Sequence, residues 1–156
     1  MTFDLLKPAI LSNNTAELHR VLDANPGLRN DLSTKSRFLA GESSPLHYAA
    51  NEDRPDMIRI LVEDYSSRLN ALEIYDPMYK EEMTALHWAA TKGHADAVRM
   101  LLKLGGDHQI KGCILDISGT APQMARKEGQ KEVIAVFEEF GANRTTCERM
   151  VKCSIL

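Results

Sequence analysis

Apolar residues recur along this chain with a helical spacing that is itself repeated. Met57, Ile58, Leu61 and Val62 are matched forty residues later by Ala97, Val98, Leu101 and Leu102. Shifted back by forty, Ala9, Leu18, Val21 and Leu22 occupy the corresponding positions; shifted forward by thirty-six, Ala125, Ile134 and Phe137 do so, and Gly141 falls on Gly105. Each copy contains two short apolar-periodic segments. In the third copy the first segment runs from about Thr84 to Lys92 and is broken by Gly93-His94, as a helix C-terminal glycine breaks a helix. The second runs from about Ala95 to Leu104, places Val98, Leu101 and Leu102 on one helical face, and ends at Gly105-Gly106. Each unit is therefore predicted to be a pair of short antiparallel helices followed by a loop. One such pair cannot bury its apolar face alone, whereas stacked pairs form a continuous core. The predicted fold class is an all-α solenoid.

The strongest local identity lies between Ser44-Pro-Leu-His-Tyr-Ala-Ala50 and Thr84-Ala-Leu-His-Trp-Ala-Ala90. Ser44 and Thr84 stand where a helix N-cap hydroxyl belongs. With the Gly-His turn, the Val98–Leu102 segment and Asp107, these residues resemble the ankyrin repeat. The resemblance implies four stacked helix-turn-helix repeats, at about residues 3–27, 41–65, 81–106 and 117–142, within a domain spanning 1–142. The third repeat fits best. The second lacks the turn glycine, carrying Asp53 there and Pro55 just after. The fourth has Pro122 for the usual Leu and Gln123 for the His, and the first is the most divergent, as a capping repeat is. His47 and His87, at equivalent positions, are then expected to hydrogen-bond loop backbone, as a structural job, and not to bind metal or act in catalysis. Tyr48 and Trp88, which follow them, are expected to pack between helices.

The spacing departs from the usual period of about 33 residues. The surplus lies in loops near Asn30–Glu42 and Ser66–Met83. Extended loops on one face of a solenoid often carry binding. The second loop includes Leu72, Ile74, Tyr75, Met78, Tyr79 and Met83. Displayed on a loop, such side chains would contact a partner; the alternative is that they fold back and cover the hairpin edge.

Composition narrows the chemistry. The chain has 156 residues, enough to bury a core without disulfides or metal, and its 44% hydrophobic and 26% charged content is ordinary for a globular domain. Lys and Arg number 19 against 22 Asp and Glu, and aromatics are 6%; this is not the footprint of a nucleic-acid binder. No secretory leader or membrane-spanning run is read from the sequence. The three cysteines, Cys113, Cys147 and Cys153, form no CxxC pair, so no zinc site or disulfide framework is expected. Cys113 reads as a buried small hydrophobe. Phosphate-binding, dinucleotide-binding, zincin and nucleophile-elbow motifs are absent from the sequence. Asp76, Glu81 and Glu82 lack the spacing of a calcium loop. No catalytic residue, metal ligand or cofactor is assigned, and an enzyme with an unrecognised site is the least favoured alternative.

The resemblance implies a non-enzymatic protein–protein interaction module, an adaptor or an occluding inhibitor, binding through loop tips and the exposed end of each first helix. Mapped onto this sequence the strip comprises Leu11, Ser12, Asn51, Glu52, Thr91, Lys92, Lys127 and Glu128, with Ser43, Met83 and Gly119 at the loop bases. Tyr75 and Tyr79 of the long loop join the candidate contacts. The mixed polar character suits one or more protein partners better than a polyanion. A monomer is expected, in the cytoplasm, with the nucleus also open.

Residues 143–156 follow the repeats and finish Cys153-Ser154-Ile155-Leu156, which looks like a CaaX box. Prenylation of Cys153 would make a membrane-tethered adaptor, with Cys147 or the cations Arg144, Arg149 and Lys152 as the second signal that stable anchoring needs. The other reading of the tail is a short helix that caps the last repeat with Met150, Val151, Ile155 and Leu156.

Overall fold

The computed structural model describes residues 3–34, 37–38, 44–76, 81–114 and 117–141. A short 3-10 helix, Phe3–Leu6, leads into α1 (Lys7–Leu11), α2 (Thr15–Ala24) and α3 (Pro26–Thr34). There follow β1 (Arg37–Phe38), α4 (Pro45–Asn51), α5 (Pro55–Glu63), β2 (Leu72–Asp76), β3 (Glu81–Met83), α6 (Ala85–Lys92) and α7 (Ala95–Lys103). The last elements are β4 (Lys111–Ile114), β5 (Ile117–Thr120), α8 (Ala121–Lys127) and α9 (Lys131–Glu139). The first helices α1, α4, α6 and α8 stack side by side, and the second helices α2, α5, α7 and α9 form a layer behind them. The result is an all-α solenoid of four helix–turn–helix units.

The core runs the length of the stack. Ala49, Ala50, Ala89, Ala90 and Ala125 are buried on the first helices, where small side chains let neighbouring backbones approach. Ile58, Leu61, Val98, Leu101, Val133 and Phe137 fill the space between the layers. Each fully buried Leu, Ile, Val or Phe contributes roughly 1.5–3 kcal/mol by leaving water.

The turn between the two helices of each unit needs one residue in left-handed backbone. Asn13, Asp53, Gly93 and Gly129 occupy it, with φ of 52°, 51°, 84° and 72°. Asn and Asp tolerate this conformation better than other side-chain-bearing residues. The second unit, which lacks the turn glycine, therefore makes the same turn.

The long loops are not bare. Residues Pro26–Thr34, partly within the loop anticipated near Asn30–Glu42, form α3. Pro26 starts the helix with a preset φ, and Leu28 and Leu32, one turn apart, are fully buried. The loop from Ser66 to Met83 contains the antiparallel hairpin β2–β3, and β4–β5 is a second. One register pair, Glu82 with Cys113, joins the hairpins, and β1 lies parallel to β2, giving a five-stranded sheet in the order β1-β2-β3-β4-β5. No described helix is long and apolar enough to cross a membrane.

Candidate partner-binding surface

The strip at the ends of the first helices is held by hydrogen bonds between consecutive units. Arg54, His94 and Gln130 stand immediately before α5, α7 and α9 and each reaches back to the preceding unit. Arg54 Nη2 donates to the Leu11 carbonyl (3.1 Å), His94 Nε2 to the Asn51 carbonyl (2.8 Å) and Gln130 Nε2 to the Thr91 carbonyl (2.9 Å). The acceptors are equivalent residues at the last turn of α1, α4 and α6, where helix carbonyls lack intrahelical partners. Asp53 adds a fourth tie: its Oδ1 accepts from Ala97 N–H (3.1 Å) and so caps the start of α7 from the unit before. Gly93 is crowded by Gln130, because a Cβ there would collide with the Gln130 side chain.

A second set of ties anchors the hairpins. Ser44 Oγ accepts from Leu46 N–H (3.3 Å) at the start of α4. At the start of α6, His87 Nδ1 accepts from Thr84 N–H (3.2 Å) and lies 2.8 Å from the Thr84 hydroxyl. In α8, Gln123 does the same work, its Oε1 accepting from Thr120 N–H (2.9 Å). His47 Nε2 donates to the carbonyl of Met83 in the next hairpin (3.1 Å). Burial pushes both histidines well below the ordinary imidazole range, to about 4. Backbone carbonyls oppose the shift without cancelling it: Met83 and Ala71 for His47, Gly119 and Ile110 for His87. Both imidazoles are thus neutral: His47 is a strut from the start of α4 to the hairpin of the next unit, whereas His87 caps its own helix through Thr84 and packs its ring beside Gly112 of the next hairpin. Gly112 fits against His87, where a Cβ would come within 3.0 Å of the ring.

The candidate residues fall into distinct places on this frame. Lys92 and Lys127 are exposed in the last turns of α6 and α8, and Glu128 is exposed just after α8. Lys127 Nζ reaches the Ser118 carbonyl (3.3 Å). Asn51, Glu52 and Thr91 are half-buried. Asn51 Nδ2 donates to Glu52 Oε1 (2.9 Å), and Thr91 Oγ1 donates back into its own helix, to the carbonyls of His87 and Trp88. At the N-terminal end Leu5 and Leu11 are exposed. Tyr75 lies on β2. Ser43, Met78, Tyr79 and the tail with Cys147 and Cys153 lie outside the described residues.

Two expectations need correction. Met83 is not displayed to solvent: it is 1% exposed, at the end of β3 where the chain turns into the core, and its carbonyl is taken by His47. Cys113 is half-buried on β4, between Glu82 and Ser118, and does not belong to the core. Tyr48 is half-buried against the core, with Lys7 Nζ 5.7 Å from the centre of its ring, and Trp88 is half-buried at the corresponding position.

Sequence reasoning missed Arg54 and Gln130. Each stands just before a second helix, a position whose role is visible only once units are superimposed. Among the described residues no group of three or more His, Cys, Asp or Glu side chains is arranged to hold a metal ion.

Comparison with known proteins accords with this geometry. A family model for ankyrin repeats, in three copies, matches residues 7–112. The human Ankyrin repeat and SOCS box protein 10 is 35% identical over 77 residues, which cover 49% of this chain and 16% of that protein. The chain thus aligns with only a small part of that relative's length.

Proposed function

The chain belongs to the ankyrin-repeat family, and on that premise we propose that it is a protein–protein interaction module acting as an adaptor or as an inhibitor that occludes its partner. Ankyrin repeats are generally interaction modules and typically not enzymes. The observation that carries the reading is the run of ties from Arg54, His94 and Gln130 to the carbonyls of Leu11, Asn51 and Thr91. These bonds hold the backbone of the strip while Lys92, Lys127 and Glu128 remain exposed beside it. A surface that is already ordered loses little entropy on association, so more of the contact energy appears as affinity. The mixture of Glu52 and Glu128 with Lys92 and Lys127 favours a protein surface over a polyanion.

The test is affinity capture with the full chain, followed by purification of the captured partner and mapping of the complex by hydrogen exchange. The expected footprint covers residues 51–52, 91–92 and 127–128. Changing Asn51, Lys92 and Lys127 together to Ala should weaken the purified complex at least tenfold with an unchanged circular dichroism spectrum. A partner that protects only the outer helices α2, α5, α7 and α9 would overturn the assignment of the surface.

A further inference from the structure

We propose that the open edge of β5, with the cations of the third and fourth units around it, docks an acidic, extended segment of a protein partner. This inference rests on the interaction-module reading and adds the place and the chemistry of the contact. It begins with backbone directions. Thr120 N–H turns to Gln123 Oε1 (2.9 Å), and the Ser118 carbonyl turns to Lys127 Nζ (3.3 Å). Neither group is directed at β4. In an antiparallel strand, residues two apart point their N–H and C=O the same way. Ser118 therefore aims both of its backbone groups at the edge of the sheet, away from its β4 register partner Cys113.

The equivalent residue one unit earlier is Glu82, and there the edge is used: Glu82 is in register with Cys113, joining β3 to β4. The molecule thus already adds a strand at this position once. Among the described residues β5 ends the strand order and offers the same backbone to one strand more. Pairing of an extended segment to such an edge is a general mode of peptide recognition.

Charge selects the segment. The chain as a whole carries a formal −3, yet exposed Lys111 lines the same recess as Ser118 and Gly119, exposed Lys127 reaches Ser118, and Lys92 and Arg126 are exposed in the last turns of the adjoining helices α6 and α8. Half-buried Glu82 lines the same recess, and Glu128 is exposed just after α8. Lys127 has a double part. Its ammonium covers the Ser118 carbonyl, as edge lysines discourage indiscriminate pairing. A carboxylate on an incoming strand would draw that ammonium off and release the carbonyl for the ladder. A neutral or basic strand lacks this means of opening the edge.

The experiment uses the full chain and two capped octapeptides that alternate charge with Thr and Val, one carrying Glu and the other Lys. Binding is read by fluorescence anisotropy, and the site by amide chemical shifts and hydrogen exchange. The Glu peptide should bind, should protect the Ser118 amide, and should weaken at least tenfold when Lys92 and Lys111 are both changed to Glu. The Lys peptide should bind at least tenfold more weakly than the Glu peptide. All variants sit on exposed positions, and circular dichroism checks their fold. Equal affinity for the two peptides, or Glu-peptide binding that leaves Ser118 and Gly119 unperturbed, would overturn the proposal. So would concentration-dependent dimers abolished by the Lys92 and Lys111 changes, because the edge would then serve a second copy. A partner that protects residues 51–52 but not Ser118 would refute this inference alone and leave the interaction-module reading standing.

Discussion

Acidification should destabilise this protein through His47 and His87, and replacing them with Gln should remove that sensitivity. Both imidazoles are almost wholly excluded from solvent, at 2% and 0% exposure, and burial holds their folded pKa near 4 against 6.5 when free. A folded pKa below the unfolded value means that the unfolded chain binds more protons between the two. Stability is then fully present above about pH 6.5 and is lost as pH falls towards 4. At about 1.4 kcal/mol for each pH unit between the two values, the complete loss is roughly 3 kcal/mol per histidine. Between pH 7 and pH 5, above most carboxylate titration, the loss is about 2 kcal/mol each and about 4 kcal/mol for the pair. Domains of this kind are typically stable by only 5–15 kcal/mol. The molecule itself supplies the control, since Gln123 performs the capping part of the role in α8. His87→Gln should keep the cap at Thr84 and lose the packing of the buried ring beside Gly112, at a cost of about 1–3 kcal/mol at neutral pH. The assay is urea unfolding followed by circular dichroism from pH 7.5 to 5. The difference in stability between pH 7 and pH 5 should shrink by about 2 kcal/mol in His87→Gln and about 4 kcal/mol in the double variant. Parallel pH profiles for all three proteins would refute the reasoning.

Other outcomes follow from the turns and from α3. Asn13→Gly should stabilise the protein by up to about 1 kcal/mol in urea unfolding, because Asn13 is exposed and glycine adopts its φ of 52° without strain. Asp53→Ala should instead cost about 2 kcal/mol or more, combining left-handed strain with loss of the cap on Ala97 N–H; a neutral result by the same measurement would remove Asp53 from the inter-unit ties. Leu32→Ala should cost 2–4 kcal/mol by thermal or urea unfolding, while Leu11→Ala, at 46% exposure, should stay within about 0.5 kcal/mol. Gly93→Ala should lower the unfolding free energy by at least about 1 kcal/mol and expose the Thr91–Gln130 tie to faster exchange of nearby amides.

Much of this protein was legible in one dimension. The fourfold apolar pattern, the Ser44 and Thr84 starts and the Gly93 stop are local signals, since helix periodicity and capping act within four residues of each other. They determined the helix pairs and their stacking, and they carry the resemblance to the ankyrin repeat that implied the strip of candidate contacts at Asn51, Thr91 and Lys92. The loops resisted reading. The α3 segment hides its start at Pro26 beside a preceding helix, and only the burial of Leu28 and Leu32 identifies its packed face. The hairpin residues alternate weakly, so pairing of β3 with β4, and the burial of Met83 that goes with it, depends on the neighbouring unit. The ties from Arg54, His94 and Gln130 join residues about forty positions apart and use three different side chains for one job. They stand at the repeat spacings of forty and thirty-six, but no shared residue type marks them, because what they share is a carbonyl left free at the end of a helix in the unit before. The sequence by itself determined what each unit is; the contacts between units decided which backbone is locked, which side chains face outward, and where the sheet still ends in an open edge.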